Sequence, residues 1–142
     1  MAEIGRGSVF TTEAPVTPTT PTYNFVCAEA ISAGEVLCQS KVDSGQVLKA
    51  QASDEDRMPA FGVATEGGGI GDTVAVQTMG SYNDIERTED LDMQEAVYVS
   101  DTAGKATKNP PATSGCGQQR IGIAKAAGNM MLEFDLTVIW VG

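Results

Sequence analysis

The sequence predicts an all-β protein, a small pseudo-repeated β-barrel or β-sandwich carrying an extended N-terminal arm. Three observations carry that prediction. The chain of 142 residues holds 16 Gly and 6 Pro and few stretches of good helix formers, a composition that favours short strands and many turns. Two Gly-centred segments, Met58-Pro59-Ala60-Phe61-Gly62-Val63-Ala64 and Gln119-Arg120-Ile121-Gly122-Ile123-Ala124, echo each other about sixty residues apart. Around each lies the same order of turn and strand signals, with offsets of 59 to 61 residues.

Residues 1–22 form the arm. Half of Thr11 to Thr22 is Thr, and Pro15, Pro18 and Pro21 recur at every third position. A polyproline II helix has three residues per turn, so these prolines line one side of an extended segment. Such an arm is either a linker or a strap across a neighbouring subunit.

The β domain occupies residues 23–142 and divides into two similar units, about 28–80 and 93–137. In the first, Tyr23 to Ala28 alternates as a strand. Val36-Leu37-Cys38 and Gln46 to Ala50 flank the Ser44-Gly45 turn as a hairpin. Ser53 to Arg57 is a charged loop, Phe61 to Ala64 a strand, Gly67 to Asp72 a turn and Thr73 to Thr78 a strand. Ser81 to Asp92, the most acidic stretch, reads as a solvated connecting loop.

In the second unit, Ala96 to Val99, the Ala103-Gly104-Lys105 turn and Ile121 to Ala124 repeat the plan. Met130 to Trp140 reads as one closing strand. Leu132, Phe134, Leu136, Val138 and Trp140 fall on one face, and this period-two alternation predicts an inward row. On that reading Trp140 packs in the core, and Phe134→Ala costs about 3–5 kcal/mol. Gly62 and Gly122 are expected to permit a close backbone approach or a bulge.

Composition also limits function. Net charge is −10 and the nine basic residues are scattered, which argues against nucleic acid and anionic membrane surfaces as partners; an acidic surface suits a basic partner. The longest apolar run, Val138 to Val141, is far too short to span a bilayer. No apolar run of signal-peptide kind follows the opening Met1 to Gly7, so cytoplasmic synthesis is expected. Cys27, Cys38 and Cys116 are odd in number, lack metal-ligand spacing and read as free, buried thiols.

Chemistry is sparse. There is no His, so no Ser-His-Asp, Cys-His or His-metal site can be built within the chain. Asp54-Glu55-Asp56 is consecutive and lacks the spacing of a calcium loop. Gly67-Gly68-Gly69-Ile70-Gly71-Asp72 fails both phosphate-loop patterns and leads into a strand, where those motifs need a helix. Asp101-Thr102-Ala103-Gly104 departs from the aspartic-protease motif by its inserted Ala and reads as a turn. No catalytic residue, metal ligand or cofactor is predicted, and the chain is read as no enzyme. Aromatic residues make up 6% of the chain, too few for the exposed clusters of a carbohydrate-binding module. Tyr98 faces away from Val97 and Val99 and, with Tyr23, Pro15, Pro18 and Pro21, is a candidate interface residue.

The order Ala33-Gly34-Glu35-Val36-Leu37, Pro59-Ala60-Phe61-Gly62-Val63-Ala64, Gly71 to Gln77, Ala96-Val97-Tyr98-Val99-Ser100 and Gln119 to Ala124 resembles the capsid decoration (cement) proteins and head-fibre base domains of tailed bacteriophages. The resemblance covers about residues 28–137. It implies a small all-β domain on the outer surface of an assembled capsid, bound to the major capsid protein and often trimeric. It implies no catalytic residues. A head-fibre or tail-associated β domain with a binding or display role is the alternative.

Overall fold

The computed structural model describes residues 20–142. Most of the expected arm, including Pro15 and Pro18, lies outside them. The architecture is all-β. Strands β1 (Thr22–Cys27), β2 (Val36–Gln39), β3 (Gln46–Lys49), β4 (Ala60–Ala64) and β5 (Thr73–Gln77) close into a barrel in the order β1-β3-β2-β4-β5. The β1–β3 pair is parallel; the other four are antiparallel.

A second sheet follows from β6 (Met79–Tyr82), β7 (Ala96–Val99), β8 (Ala106–Thr107), β10 (Arg120–Ala124) and β11 (Met130–Glu133), in the order β6-β11-β10-β7-β8. β9 (Gly117–Gln118) and β12 (Ile139–Trp140) form a separate two-stranded ribbon. The second sheet has the barrel's strand order but stays open. Where β1 pairs with β3, it has only an isolated parallel bridge, Arg87 to Ala106.

Hydrogen bonds repeat between the two sheets. Gly34 N–H donates to Ala64 O at 2.8 Å, and Gln94 N–H to Ala124 O at 2.9 Å. Ala64 N–H donates to Glu35 O, and Ala124 N–H to Glu95 O. The pairing of β2 with β4 skips Phe61, and that of β7 with β10 skips Ile121, so each Gly-centred strand carries a bulge just before its glycine. A Cβ at Gly62 would collide with Val76 Cγ1, and one at Gly122 with the Met131 carbonyl oxygen. Glycine is needed at both places because the neighbouring strand passes too close for a side chain.

Burial divides the apolar residues into two clusters. Leu37, Val47, Val74, Val76 and their neighbours fill the barrel. The larger cluster joins the outward residues of the barrel, Val36, Cys38 and Val63, to Val97, Ile121 and Met130 of the second sheet. Cys27, Cys38 and Cys116 are free and buried.

Two expectations are corrected. The stretch expected as a solvated loop, Ser81 to Asp92, begins inside β6, which pairs with β11, and it buries Ile85 and Leu91. The single closing strand is broken: β11 ends at Glu133, and the chain rejoins a ribbon only at Ile139. Asp135 N–H turns to Arg120 O, and the Asp135 carboxylate accepts from Thr137 N–H, so residues 134–138 leave the ladder. The inward row dissolves with it. Leu132 is buried, Phe134 and Val138 are half-buried, and Leu136 and Trp140 are 64% and 43% exposed.

Candidate interaction surface

The broken C-terminal segment leaves Leu136, Ile139 and Trp140 as exposed apolar surface. Leu136 lines a groove of about 300 Å³ together with Met58, Pro59 and Phe61. A neighbouring hollow continues along Val138 and Trp140 to Lys41 and Glu55. Ile139, on the same strand as Trp140, is 65% exposed.

This surface is rigidly supported. Trp140 lies across Gly117, where a Cβ would sit 3.1 Å from its ring. Val141 is fixed by Gly115 N–H to Val141 O and Val141 N–H to Cys116 O. Phe61 packs edge-on against Phe25, with ring centroids 5.1 Å apart. Lys41 Nζ donates to Glu55 O at 2.7 Å and ties the β2–β3 tip to a single 3-10 turn, Glu55–Arg57. Beneath the groove the buried Gln119 side chain accepts from Ala60 N–H and donates to Ala60 O and Asp135 O. One amide thus clamps barrel, second sheet and C-terminal segment together. Rigid, half-exposed aromatic and aliphatic side chains of this kind suit an interface, because little rotamer entropy is lost when they are covered.

Two carboxylates, Glu29 and Glu89, are engaged in structure. Arg57 Nη1 donates to Glu29 Oε2 at 2.7 Å, and Lys49 N–H to the same oxygen at 2.8 Å. Burial works against a charged Glu29, but the Arg57 and Lys49 contacts outweigh it and hold the carboxyl below its ordinary range. Glu89 is likewise lowered: burial opposes, while hydrogen bonds from Thr88, the Lys108 N–H and Thr107 prevail. Glu89 lines a polar hollow with Asp101, Thr107 and Pro110, yet its oxygens are taken by the chain itself. Burial pushes the Cys38 thiol up to about 11, away from nucleophilic chemistry. Among the described residues, no three or more His, Cys, Asp or Glu gather as a metal site.

Of the residues singled out from the sequence, Pro21 is exposed just before β1. Tyr23 is 53% exposed on β1, opposite Val76. Tyr98 is half-buried on β7, between Thr107 and Arg120. The two tyrosines belong to different sheets. Trp140, expected in the core, is at the surface instead, because the ribbon that carries it pairs only with β9. Leu136 and Trp140 were hidden in the sequence by their regular alternation, which put Ile139 on the outward face, where it lies. The signal against a continuous strand was Asp135 followed by Thr137, a pair able to bend the chain by a side chain to backbone bond.

Residues 17–130 match the phage cement protein family, and the chain belongs to that family. It is therefore a structural, capsid-stabilising protein of the virion, bound to the capsid, and not an enzyme. Among curated proteins, none matches the chain.

Proposed function

We propose that the protein binds the outer surface of the assembled shell, on the major capsid protein, and holds neighbouring capsid subunits together as a trimer. The apolar surface at Leu136, Ile139 and Trp140 is the observation that carries this reading. It is a supported aromatic and aliphatic patch in a chain of the cement family, and covering it releases water from apolar area. A ligand that binds only the assembled shell stabilises that shell by linkage. An acidic domain also suits a basic outer surface, because complementary charge speeds encounter.

The arm is the second contact. Residues 1–22, with Pro15, Pro18 and Pro21 on one side, extend from β1 across a neighbouring subunit and add contact area without enlarging the β domain. Tyr23 and Tyr98 serve copy-to-copy or copy-to-shell contacts. Domain division follows the same plan: an arm of residues 1–22 and a β domain of two similar units.

Binding of three proteins to undecorated shells tests this: wild type, a chain lacking residues 1–22, and Trp140→Ala. Both variants are expected to bind more weakly while keeping the β circular dichroism of the wild type. Undiminished binding by both would show that the shell is held by some other surface.

A further inference from the structure

The second sheet grips the barrel in two ways. Tyr82 OH donates to Ala64 O at 2.7 Å. The peptide of Gly104 enters between the ends of β2 and β3: Val36 N–H donates to Gly104 O and Gly104 N–H to Ala50 O, both at 2.8 Å. A Cβ at Gly104 would lie 3.0 Å from Glu35 Oε2 and 3.2 Å from Lys49 Cδ. A tyrosine and a glycine turn thus fit a seat made by Glu35, Val36, Lys49, Ala50 and Ala64.

The barrel carries the same grip with nothing in it. Tyr23 pairs with Val76, which pairs with Ala64; Tyr82 pairs with Met130, which pairs with Ala124. The two tyrosines therefore occupy the same register, but Tyr82 is half-buried and Tyr23 is 53% exposed. The turn at Gly45 corresponds to that at Gly104. Both have positive φ, +83° and +78°, and a Cβ at Gly45 would meet nothing within 4 Å.

The second sheet, in turn, carries the same seat. Glu95 stands where Glu35 does, since Ala124 N–H bonds to Glu95 O as Ala64 N–H does to Glu35 O. Thr107 pairs with Tyr98 as Leu48 pairs with Cys38, so Lys108 follows where Lys49 follows. Ala96 and Asn109 complete the set in place of Val36 and Ala50. Glu95 and Asn109 are exposed.

An open grip on one sheet and a seat on the other, exposed at Glu95 and Asn109 but closed over Ala124, which is 1% exposed, form a heterologous pair of surfaces. We propose that Tyr23 and the Gly45 turn of one copy dock on the seat at Glu95, Ala96, Lys108 and Asn109 of the next, repeating between chains part of the contact made within each. Head-to-tail contacts of this kind close into a ring when the rotation per copy permits. The trimer of the proposed function is such a ring, and on that point the inference rests on that reading. The copied contact is the weaker of the two. Ala52 N–H donates to Ser100 O within the chain, whereas Pro111, in the matching place, has no N–H to give. Arg120 O, matching Ala60 O, already accepts from Asp135 N–H.

Sedimentation velocity on the free protein tests this apart from shell binding. Wild type should assemble with concentration into one closed species. Tyr23→Ala removes the grip and Asn109→Trp blocks the seat; each alone should stay monomeric with an unchanged melting curve, and Lys108→Glu is a second block. An equimolar mixture should form a heterodimer and nothing larger, because one intact grip meets one intact seat. A wild type that stays monomeric at the highest concentration reached, variants that assemble like wild type, or a mixture that stays monomeric would each overturn the proposal. Shell binding that persists in either variant leaves the cement role standing without this contact.

Discussion

The barrel and the second sheet share a strand order, yet one closes and the other does not. In the barrel, β1 and β3 hold six and four residues and pair in parallel. In the second sheet β8 has two residues, β6 stops at Tyr82, and one bridge at Arg87 marks where closure would come. Asp84, at a positive φ of +63°, turns the chain out of the extended conformation just after β6, whereas β1 runs on to Cys27. Packing differs accordingly. The barrel encloses its own cluster, whereas the buried side chains of the second sheet share one cluster with the barrel's outer face. A closed sheet can keep an interior to itself; an open one must be lidded. Here the lid is the barrel, and stability, domain arrangement and the supported C-terminal surface all depend on that junction.

The largest effect is expected where the shared cluster is cut. Ile121→Ala should destabilise by about 2–5 kcal/mol, and because Ile121 packs in the shared cluster, both sheets should melt in one transition. Two separated transitions in calorimetry would break the comparison. The paired glycines come next. Gly62→Ala should cost about 1–3 kcal/mol, since the obstruction is chiefly a Val76 methyl. Gly122→Ala should cost more, since its obstruction is the Met131 backbone. Urea midpoints in the reverse order would mean the second sheet yields more readily than the barrel.

Gln119→Leu should cost about 1–3 kcal/mol by leaving Ala60 N–H and two carbonyls without the amide, with little change in denaturant slope. Phe134→Ala should cost about 1–2 kcal/mol, below the full-burial figure, because Phe134 is only half-buried. A measured loss near the full value would put the alternating row back inside.

The smallest effect is in acid. Glu29 and Glu89 have folded pKa values below the ordinary 4.5, so the unfolded chain binds protons first as pH falls. Their contribution is present above about pH 4.5 and is lost as pH drops through the lowered folded values. Arg57→Gln should flatten that part of the pH–stability curve, and an unaltered curve would assign acid sensitivity elsewhere.

Much of the fold was legible because the two Gly-centred strands and their turns write local geometry into residue type: Gly where a strand passes close, Gly or Asp where the chain reverses. What was not legible was set by distant partners. Met79-Gly80-Ser81-Tyr82 has no apolar alternation and becomes a strand only because β11 lies beside it. Asp84, Glu86 and Asp90 masked Ile85 and Leu91, two buried residues in a charged stretch. At the C-terminus the error ran the other way. Regular alternation satisfied the strand rule, but the chain bends at Asp135 and leaves Leu136 and Trp140 at the surface, so the best-patterned stretch became the candidate binding face. Periodicity records that two faces differ; it does not record which partner covers the apolar one.

Co-sedimentation with expanded, undecorated shells, followed by melting of the decorated shell, tests the central claim most directly. Saturation at a fixed copy number per shell, a raised shell melting temperature and weakened binding by Trp140→Ala are predicted. Folded protein that leaves the shells bare, or that binds without raising their melting temperature, would contradict a cementing role through this surface.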